Sequence, residues 1–351
     1  MSKKMVIAQL GCGYWGPNLL RSFVSQSDCW MKWVAEPNKK RMAYLEQNFP
    51  TVRPILNYEQ VLDDPEVKAV VIATPASTHY SLARNALLCG KNVFVEKPLA
   101  MSVVEADELI RLSTERGLIL MVGHTYLYNP AVTYLKEFLD KKEIGQLYYI
   151  YSHRLNLGQV RSDVNVWWNL GPHDVSVLLY LMGGQLPEYI SAQGADYLQP
   201  NIHDVVFVTL RWASGVVAHV QLSWLNPAKV REMTLVGSKR MIVYDDVKDD
   251  KIAIFDKGVD RVPVVGEKMD YDLPNNFQLR HRSGDIVFPR IDFKEPLKLE
   301  AAHFLECLRT GATPLTDGRH ARSVVAVLEG GQTALEESRI VTLGPAQLLA
   351  A

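Results

Sequence analysis

The chain has 351 residues, 48% hydrophobic and 22% charged, with 38 basic and 39 acidic groups giving a formal net charge of -1. Such a length predicts two domains sharing a cleft, and the composition excludes a disordered chain. Balanced charge excludes a global field for holding a polyanion, and no run approaches the ~20 apolar residues of a spanning helix, so neither nucleic acid nor membrane is an expected partner.

Four cysteines, Cys12, Cys29, Cys89 and Cys307, lie far apart without zinc-site or disulfide spacing. The apolar run from Met5 to Leu10 is too short for the core of a signal peptide and leads into glycines. The expectation is a cytoplasmic protein with reduced thiols. Its acidic residues and histidines show no metal-ligand spacing, so no metal is expected either.

The first third alternates β-rich runs with helical patterns, which predicts a parallel sheet flanked by helices. Strands are expected at Met5–Leu10, Trp30–Ala35, Ala69–Ala73, Asn92–Val95 and Leu118–Val122. Helices are expected at Pro17–Val24, Thr78–Leu88 and Val103–Arg116, and Lys39, Lys40 and Arg41 read as a solvated helix face. After His124 come helices at Pro130–Leu139 and His173–Met182, then strands at Tyr189–Gly194, Asp204–Trp212, Gly215–Trp224, Val230–Leu235 and Met241–Tyr244. Short turns between neighbouring strands imply antiparallel pairing. The segment Asp256–Asp292 carries no clear pattern, and helices at Pro296–Arg309 and Gly318–Glu337 close the chain. The expected class is α/β. Residues 1–124 form a Rossmann dinucleotide-binding domain, and residues 125–351 an α/β domain with an open, mainly antiparallel sheet for substrate binding and oligomerisation.

Gly11-Cys12-Gly13-Tyr14-Trp15-Gly16 follows the first strand and opens the first helix. The first glycine permits the tight turn, the second lets backbone approach a pyrophosphate, and the third lets helix and strand pack closely. Free N–H groups at the helix start would face the phosphates. A glycine-rich turn alone often merely joins strand to helix. Here, however, Glu36 stands 20 residues beyond Gly16 at the end of the second strand, where an acidic side chain meets the adenosine ribose. That carboxylate favours NAD over NADP, although Lys39 and Arg41 are within reach of a 2′-phosphate.

Glu96-Lys97-Pro98 ends a later strand, at the carboxyl ends of the strands where an open α/β sheet has its ligand crevice. Burial and a cationic nicotinamide would push the lysine pKa down and suit it to proton transfer near neutral pH. The alternative is a surface lysine paired with Glu96.

These segments, with Ala73-Thr74-Pro75 and His79, Gly171-Pro172-His173-Asp174, Glu295-Pro296-Leu297, Glu300, His303-Phe304 and Pro314 to Gly318, resemble the Gfo/Idh/MocA family of glucose-fructose oxidoreductase and inositol dehydrogenase relatives. The resemblance spans essentially the whole chain. It implies that Lys97 is the catalytic lysine, that Glu96 lies beside the nicotinamide ribose, and that Thr74, Pro75 and His79 line the cofactor. It also implies that His173 bonds the reacting hydroxyl and relays its proton, and that the open sheet face builds a homodimer or homotetramer. Many relatives carry aspartate four residues before that histidine, where this chain has Asn169. An amide orients a hydroxyl without accepting its proton, which shifts proton transfer to Lys97 and His173.

Tyr126, Tyr128 and Asn129 follow the last strand of the first domain, and Arg154, Asn156 and Arg161 precede His173. Tyrosines pack on sugar rings and arginines fork onto carboxylate or phosphate, so these residues are expected to bind a negatively charged carbohydrate. An equally ordinary reading puts the tyrosines in the core and the arginines in ion pairs. The stretch from Arg154 to Asp174 is similar to a family branch associated with nucleotide sugars, including dehydrogenases of UDP-N-acetylglucosaminuronate. A nucleotide-sugar dehydrogenase is the expectation. The alternatives are a dehydrogenase of free sugars or inositol, and a dinucleotide-sensing regulator without catalysis.

Overall fold

The computed structural model describes residues 4–263 and 277–344. The chain begins with β1 (Met5–Leu10), α1 (Gly16–Val24), β2 (Cys29–Ala35), α2 (Lys39–Asn48), β3 (Arg53–Ile55), α3 (Glu59–Asp63), β4 (Ala69–Ile72), α4 (His79–Leu88), β5 (Asn92–Glu96), α5 (Val103–Glu115) and β6 (Leu120–Gly123). The six strands form a parallel sheet in the order β3-β2-β1-β4-β5-β6. The order reverses between β1 and β4, the switch point where such sheets open a crevice. Residues of β4 are buried throughout, as covering helices on both faces require. Helix α1 carries Pro in its first turn and buries Leu19, Leu20 and Phe23 against the sheet.

The second part contains α6 (Pro130–Asp140), β7 (Leu147–Leu155), α7 (Val166–Leu181), β8 (Tyr189–Ala195), β9 (Val205–Arg211), β10 (Val217–Ser223), β11 (Val230–Gly237), β12 (Met241–Asp245), β13 (Ile252–Pro263) and β14 (Phe277–Val287). It ends with α8 (Pro296–Thr310), α9 (Gly318–Glu337) and β15 (Val341–Thr342). Nine strands pair in the order β14-β13-β12-β11-β7-β10-β9-β8-β15, antiparallel except for β7 with β10. One face is covered, with Ile190, Val208, Val220 and Leu235 fully buried in a core shared with α7 and α9. The other is open and carries Tyr149, Phe207 and Tyr189 with 46%, 41% and 42% exposure.

Several expectations need correction. Helix α7 starts at Val166, seven residues before His173, because the Asn165 side chain caps it by accepting from the Trp168 N–H. Pro172 thus lies inside the helix rather than at its start, and His173 is mid-helix. The unassigned Asp256–Asp292 segment contributes most of β13 and β14, a long antiparallel pair; its residues 264–276 lie outside the described part. Strand β7 was not expected and proves central to its sheet. The proposed division at 124/125 separates the two sheets, yet α8 crosses back: Leu297, Ala301, Phe304 and Leu305 share a core with Ile7, Phe23 and Phe94.

The pose of α7 depends on two glycines. A Cβ on Gly331 of α9 would lie 2.6 Å from the Trp167 ring, and one on Gly171 2.9 Å from it. The indole sits in that slot and donates to the Leu328 carbonyl at 2.9 Å. This contact fixes the helix turn that carries Asn169 and His173.

Candidate active site

A cavity of about 1020 Å³ runs from the glycine loop, along the ends of β4 and β5, to α7 and the ends of β7 and β11. Its first wall is the Gly11–Gly16 turn. Gly11 has φ +87° and a Cβ there would sit 2.7 Å from the Ala73 carbonyl oxygen. Gly13 has no neighbour within 4 Å of its would-be Cβ, which leaves the backbone approachable from the cavity. A Cβ on Gly16 would lie 3.0 Å from the Gly11 carbonyl oxygen, so the third glycine allows the turn to close tightly on the helix start. No side chain caps the start of α1; Pro17 has no N–H and the Asn18 N–H donates to the Trp15 carbonyl at 3.0 Å, which leaves the Gly16 N–H to an anion.

Glu36 lines the same end of the cavity. Its carboxylate accepts from the Cys12 N–H at 2.7 Å and the Asn38 N–H at 2.9 Å, which fixes its orientation while leaving acceptor capacity. Tyr14 is 82% exposed over the turn, and Trp15 donates its indole N–H to Glu96 at 2.8 Å. Thr74 and Pro75 also line the cavity. Buried His79 ties this loop to the next, with Nδ1 2.6 Å from the Pro98 carbonyl and Nε2 3.0 Å from the Thr74 carbonyl. Burial pushes its pKa down, and the two carbonyls push back.

At the centre, Lys97 Nζ donates to the Asn169 main-chain oxygen at 2.9 Å. Burial lowers its pKa to about 8; Glu96 opposes the shift, and Arg154 and Arg161 add to it. Burial raises the Glu96 carboxyl to about 7. A second buried carboxyl, Glu300, accepts from the Thr125 hydroxyl at 2.7 Å and is pushed upward by burial and by Glu96.

On α7, Asn169 and His173 are one turn apart and both line the cavity. His173 is held well below its ordinary pKa by burial, then by Lys97 and Arg154, and is therefore a neutral imidazole at pH 7. The Tyr126 ring meets it edge-on with centroids 5.1 Å apart. The Tyr126 hydroxyl accepts from Arg154 at 2.8 Å and from Arg231 at 3.2 Å.

The structure separates the expected substrate residues. Tyr126, Asn129, Arg154, Asn156, Arg161, Asn169 and His173 all line the cavity. Tyr128 does not; it is 9% exposed, with its hydroxyl 3.3 Å from the Thr316 hydroxyl, because the short turn from Thr125 to Tyr128 rotates it inward. Arg154 is an internal ion, bonded to Asp174 at 2.5 Å, so most of its charge is already matched. Arg161 forks onto Asp163 at 2.8 and 2.6 Å. Asn129 caps α6 through its oxygen and donates to Tyr244 at 3.0 Å and Asp246 at 3.2 Å. Sequence reasoning missed Arg231, Asp246 and Trp224, which reach the cavity from β11, just beyond β12, and just beyond β10. Asp174 and Glu300 stood inside quoted motifs without an assigned role. Among the described residues no group of three His, Cys, Asp or Glu could hold a metal.

The approachable Gly13 backbone, the uncapped helix start and the carboxylate of Glu36 suit a dinucleotide: phosphates against the turn and a ribose against Glu36. Fold and cavity together define a dinucleotide-dependent oxidoreductase. Residues 5–124 match the model of the oxidoreductase family with NAD-binding Rossmann fold, and residues 132–243 match the GFO/IDH/MocA C-terminal domain. The chain belongs to the Gfo/Idh/MocA family. It is 30% identical to the UDP-N-acetylglucosamine 3-dehydrogenase of Acidithiobacillus ferrooxidans, over 82% of each chain. It is 25% identical to the scyllo-inositol 2-dehydrogenase (NAD(+)) of Bacillus subtilis, over 80% of this chain and 79% of that one. The solved structure of the Acidithiobacillus enzyme shares the fold, with a TM-score of 0.76 at 24% identity over 95% of this chain and 98% of that chain.

Proposed function

We propose that the protein is an NAD-dependent dehydrogenase moving a hydride between nicotinamide and a ring hydroxyl or ketone of a nucleotide sugar. The observation that carries this reading is the buried Lys97 amine, anchored on α7 in the same cavity as the dinucleotide turn. The dinucleotide, when bound, supplies the hydride acceptor or donor. Lys97 Nζ in its neutral form takes the hydroxyl proton, and a pKa near 8 keeps that form populated around neutral pH. Neutral His173 orients the hydroxyl. Glu96 and Trp15 close the cofactor side, and Thr74, Pro75 and His79 shape the loop beside it.

A nucleotide sugar is supported by the relative at 30% identity and by Arg161 and Arg231 on the cavity lining. The inositol-dehydrogenase relative favours a second reading, a free polyol as substrate. Glu36 supports NAD; Arg41, whose charge partly offsets the burial and the Glu36 carboxylate that push the Cys12 thiol up, is the residue that would admit a 2′-phosphate. Melting temperatures of NAD-loaded protein against UDP- and dTDP-sugars, free hexoses and inositols, followed by NADH formation, test the assignment. Turnover of a nucleotide sugar is expected. Turnover of unphosphorylated polyols alone moves the protein to the second reading, and NAD binding without any turnover would make it a regulator.

Two further features accompany this reading. The aromatic open face of the second sheet supports a homodimer or homotetramer, tested by sedimentation. The four free cysteines support a cytoplasmic location; no described helix is long and apolar enough to cross a membrane.

A further inference from the structure

We infer that Asn169 acts on the substrate as a hydrogen-bond donor: Trp224 turns its side-chain amide so that the N–H groups, not the oxygen, meet the reacting oxygen atom. This rests on the dehydrogenase reading above. Trp224 Nε1 lies 3.2 Å from Asn169 Oδ1. An indole N–H donates and never accepts. Turning the amide over would therefore set two donors against each other. Nor can the indole step aside, since Trp224 is 1% exposed and its main-chain N–H is held by the Asp204 carbonyl at 3.0 Å. Asn169 Nδ2 has no protein partner among the described residues and stays open to the cavity that Asn169 lines.

The reacting oxygen is the acceptor that fits. Lys97 Nζ donates to the main-chain oxygen of the same residue at 2.9 Å, so an oxygen that reaches the lysine also stands beside the Asn169 amide. A carbinol oxygen has one proton and two lone pairs. Its proton faces Lys97, and one lone pair accepts from Asn169 Nδ2. During oxidation the C–H electron pair leaves as hydride to the nicotinamide, the O–H proton passes to neutral Lys97, and the C=O bond forms. Asn169 donates throughout and stabilises negative charge on the oxygen as its proton departs. A carboxylate at this position would do the reverse, accepting the proton and repelling that charge.

Asn169→Leu and the isosteric Asn169→Asp separate these roles. With the sugar that the wild type oxidises, Asn169→Leu is expected to lose about 10²- to 10³-fold in kcat, the usual cost of one such donor. Asn169→Asp is expected to lose comparably while ionised and to regain activity relative to wild type as pH falls and its protonated acid donates. Lys97, Glu96, Arg154, Arg161, His173 and Arg231 surround the site in both proteins, and an ionised carboxylate at position 169 also holds the Lys97 proton more tightly. The ratio of variant to wild type is therefore read below about pH 7, where Lys97 is mostly protonated in both and that effect stays constant until the new carboxylate itself protonates. Full activity of Asn169→Asp at every pH would reduce the residue to a spacer. Activity that climbs relative to wild type with rising pH would make the position a proton acceptor; either result overturns the inference. A second readout needs no sugar. In ¹⁵N-labelled, NAD-loaded protein, the Trp224 indole resonance, assigned with Trp224→Phe, is expected to shift and exchange faster with water in Asn169→Leu. An unchanged resonance overturns the amide orientation. A wild type that oxidises no sugar on the panel defeats the dehydrogenase reading alone, and the indole signal then still decides the orientation.

Discussion

Lys97 Nζ and the main-chain oxygen of Asn169, 2.9 Å apart, join the end of β5 to the middle of α7 across the cavity. The bond ties the proton-transfer group to the helix that carries the substrate residues. Inside α7, Pro172 has no N–H to give the Trp168 carbonyl, which loosens the helix at this turn. One residue on, the Asn169 oxygen accepts from Lys97, a side chain at the end of the other sheet.

Lys97→Met keeps a similar reach without a titratable amine. Its turnover is expected to fall about 10²- to 10⁴-fold while NAD binding stays near wild type. In the wild type, sugar oxidation needs the neutral amine, so kcat/KM for oxidation rises as pH passes upward through about 8 and then levels. Ketone reduction needs the ammonium and falls over the same window. Opposite limbs in the two directions, both missing from Lys97→Met, identify the group; identical profiles in variant and wild type would assign the proton to another residue.

Glu36→Ala removes the acceptor for the Cys12 and Asn38 N–H groups as well as the partner for a ribose. Weaker NAD binding and reduced preference over NADP are expected, with Arg41 nearby to favour a 2′-phosphate. Glu36→Gln loses the charge and keeps only one acceptor oxygen, its NH2 facing either the Cys12 or the Asn38 N–H, so it should recover the turn geometry in part and remain tolerant of NADP. Titration of both variants with both dinucleotides checks this; unchanged preference in Glu36→Ala would show that another residue reads the ribose.

What could be read from the chain was what is local. The glycine turn, Glu36 at its spacing, and most strands of the first sheet follow from short-range pattern, because a parallel strand covered on both faces is simply an apolar run. Strand β7 escaped notice because Tyr148, Tyr149 and Tyr151 obscure the alternation of buried and open positions. Pro172 looked like a first-turn proline, since no local signal showed that Trp167 would be gripped by α9. Arg154 looked like a ligand for anions because its partner Asp174 lies on a different element 20 residues on. Trp224, Arg231 and Asp246 reach the cavity only through the pairing of an antiparallel sheet, which single residues do not announce.

The pair formed by Arg154 and Asp174 is buried, with side chains 7% and 4% exposed. Asp174 also accepts from the Ser152 hydroxyl at 2.6 Å. Asp174→Ala leaves a guanidinium without its counter-charge and is expected to cost about 3–5 kcal/mol of stability. Replacing both partners with apolar residues, Arg154→Met with Asp174→Leu, is expected to recover much of that loss while lowering activity, because Arg154 also holds the hydroxyl of Tyr126, whose ring packs edge-on to His173. Denaturant midpoints and turnover of the single and double variants separate the two effects. A double variant as unstable as Asp174→Ala would mean that the site needs charge for its fold.

Gly331 and Gly330 stand side by side in α9 and offer a paired test. Alanine in a helix interior gains about 0.5–1 kcal/mol over glycine. At Gly331 the new Cβ would meet the Trp167 indole at 2.6 Å, an aromatic ring so close to Gly171 as well that a Cβ there would lie 2.9 Å from it. Overpacking of a rigid neighbour costs about 1–3 kcal/mol, so the clash outweighs the propensity and Gly331→Ala is expected to destabilise. At Gly330 the nearest atom, 2.8 Å away, is the terminal Ile190 Cδ1, which a small rotation moves aside. Gly330→Ala is therefore expected to be near neutral. Trp167 lies two residues before Asn169, so Gly331→Ala should also raise KM for the sugar, whereas Gly330→Ala leaves it unchanged. Equal melting temperatures for the two variants would show that the Trp167 slot has slack, and that the pose of α7 is set elsewhere.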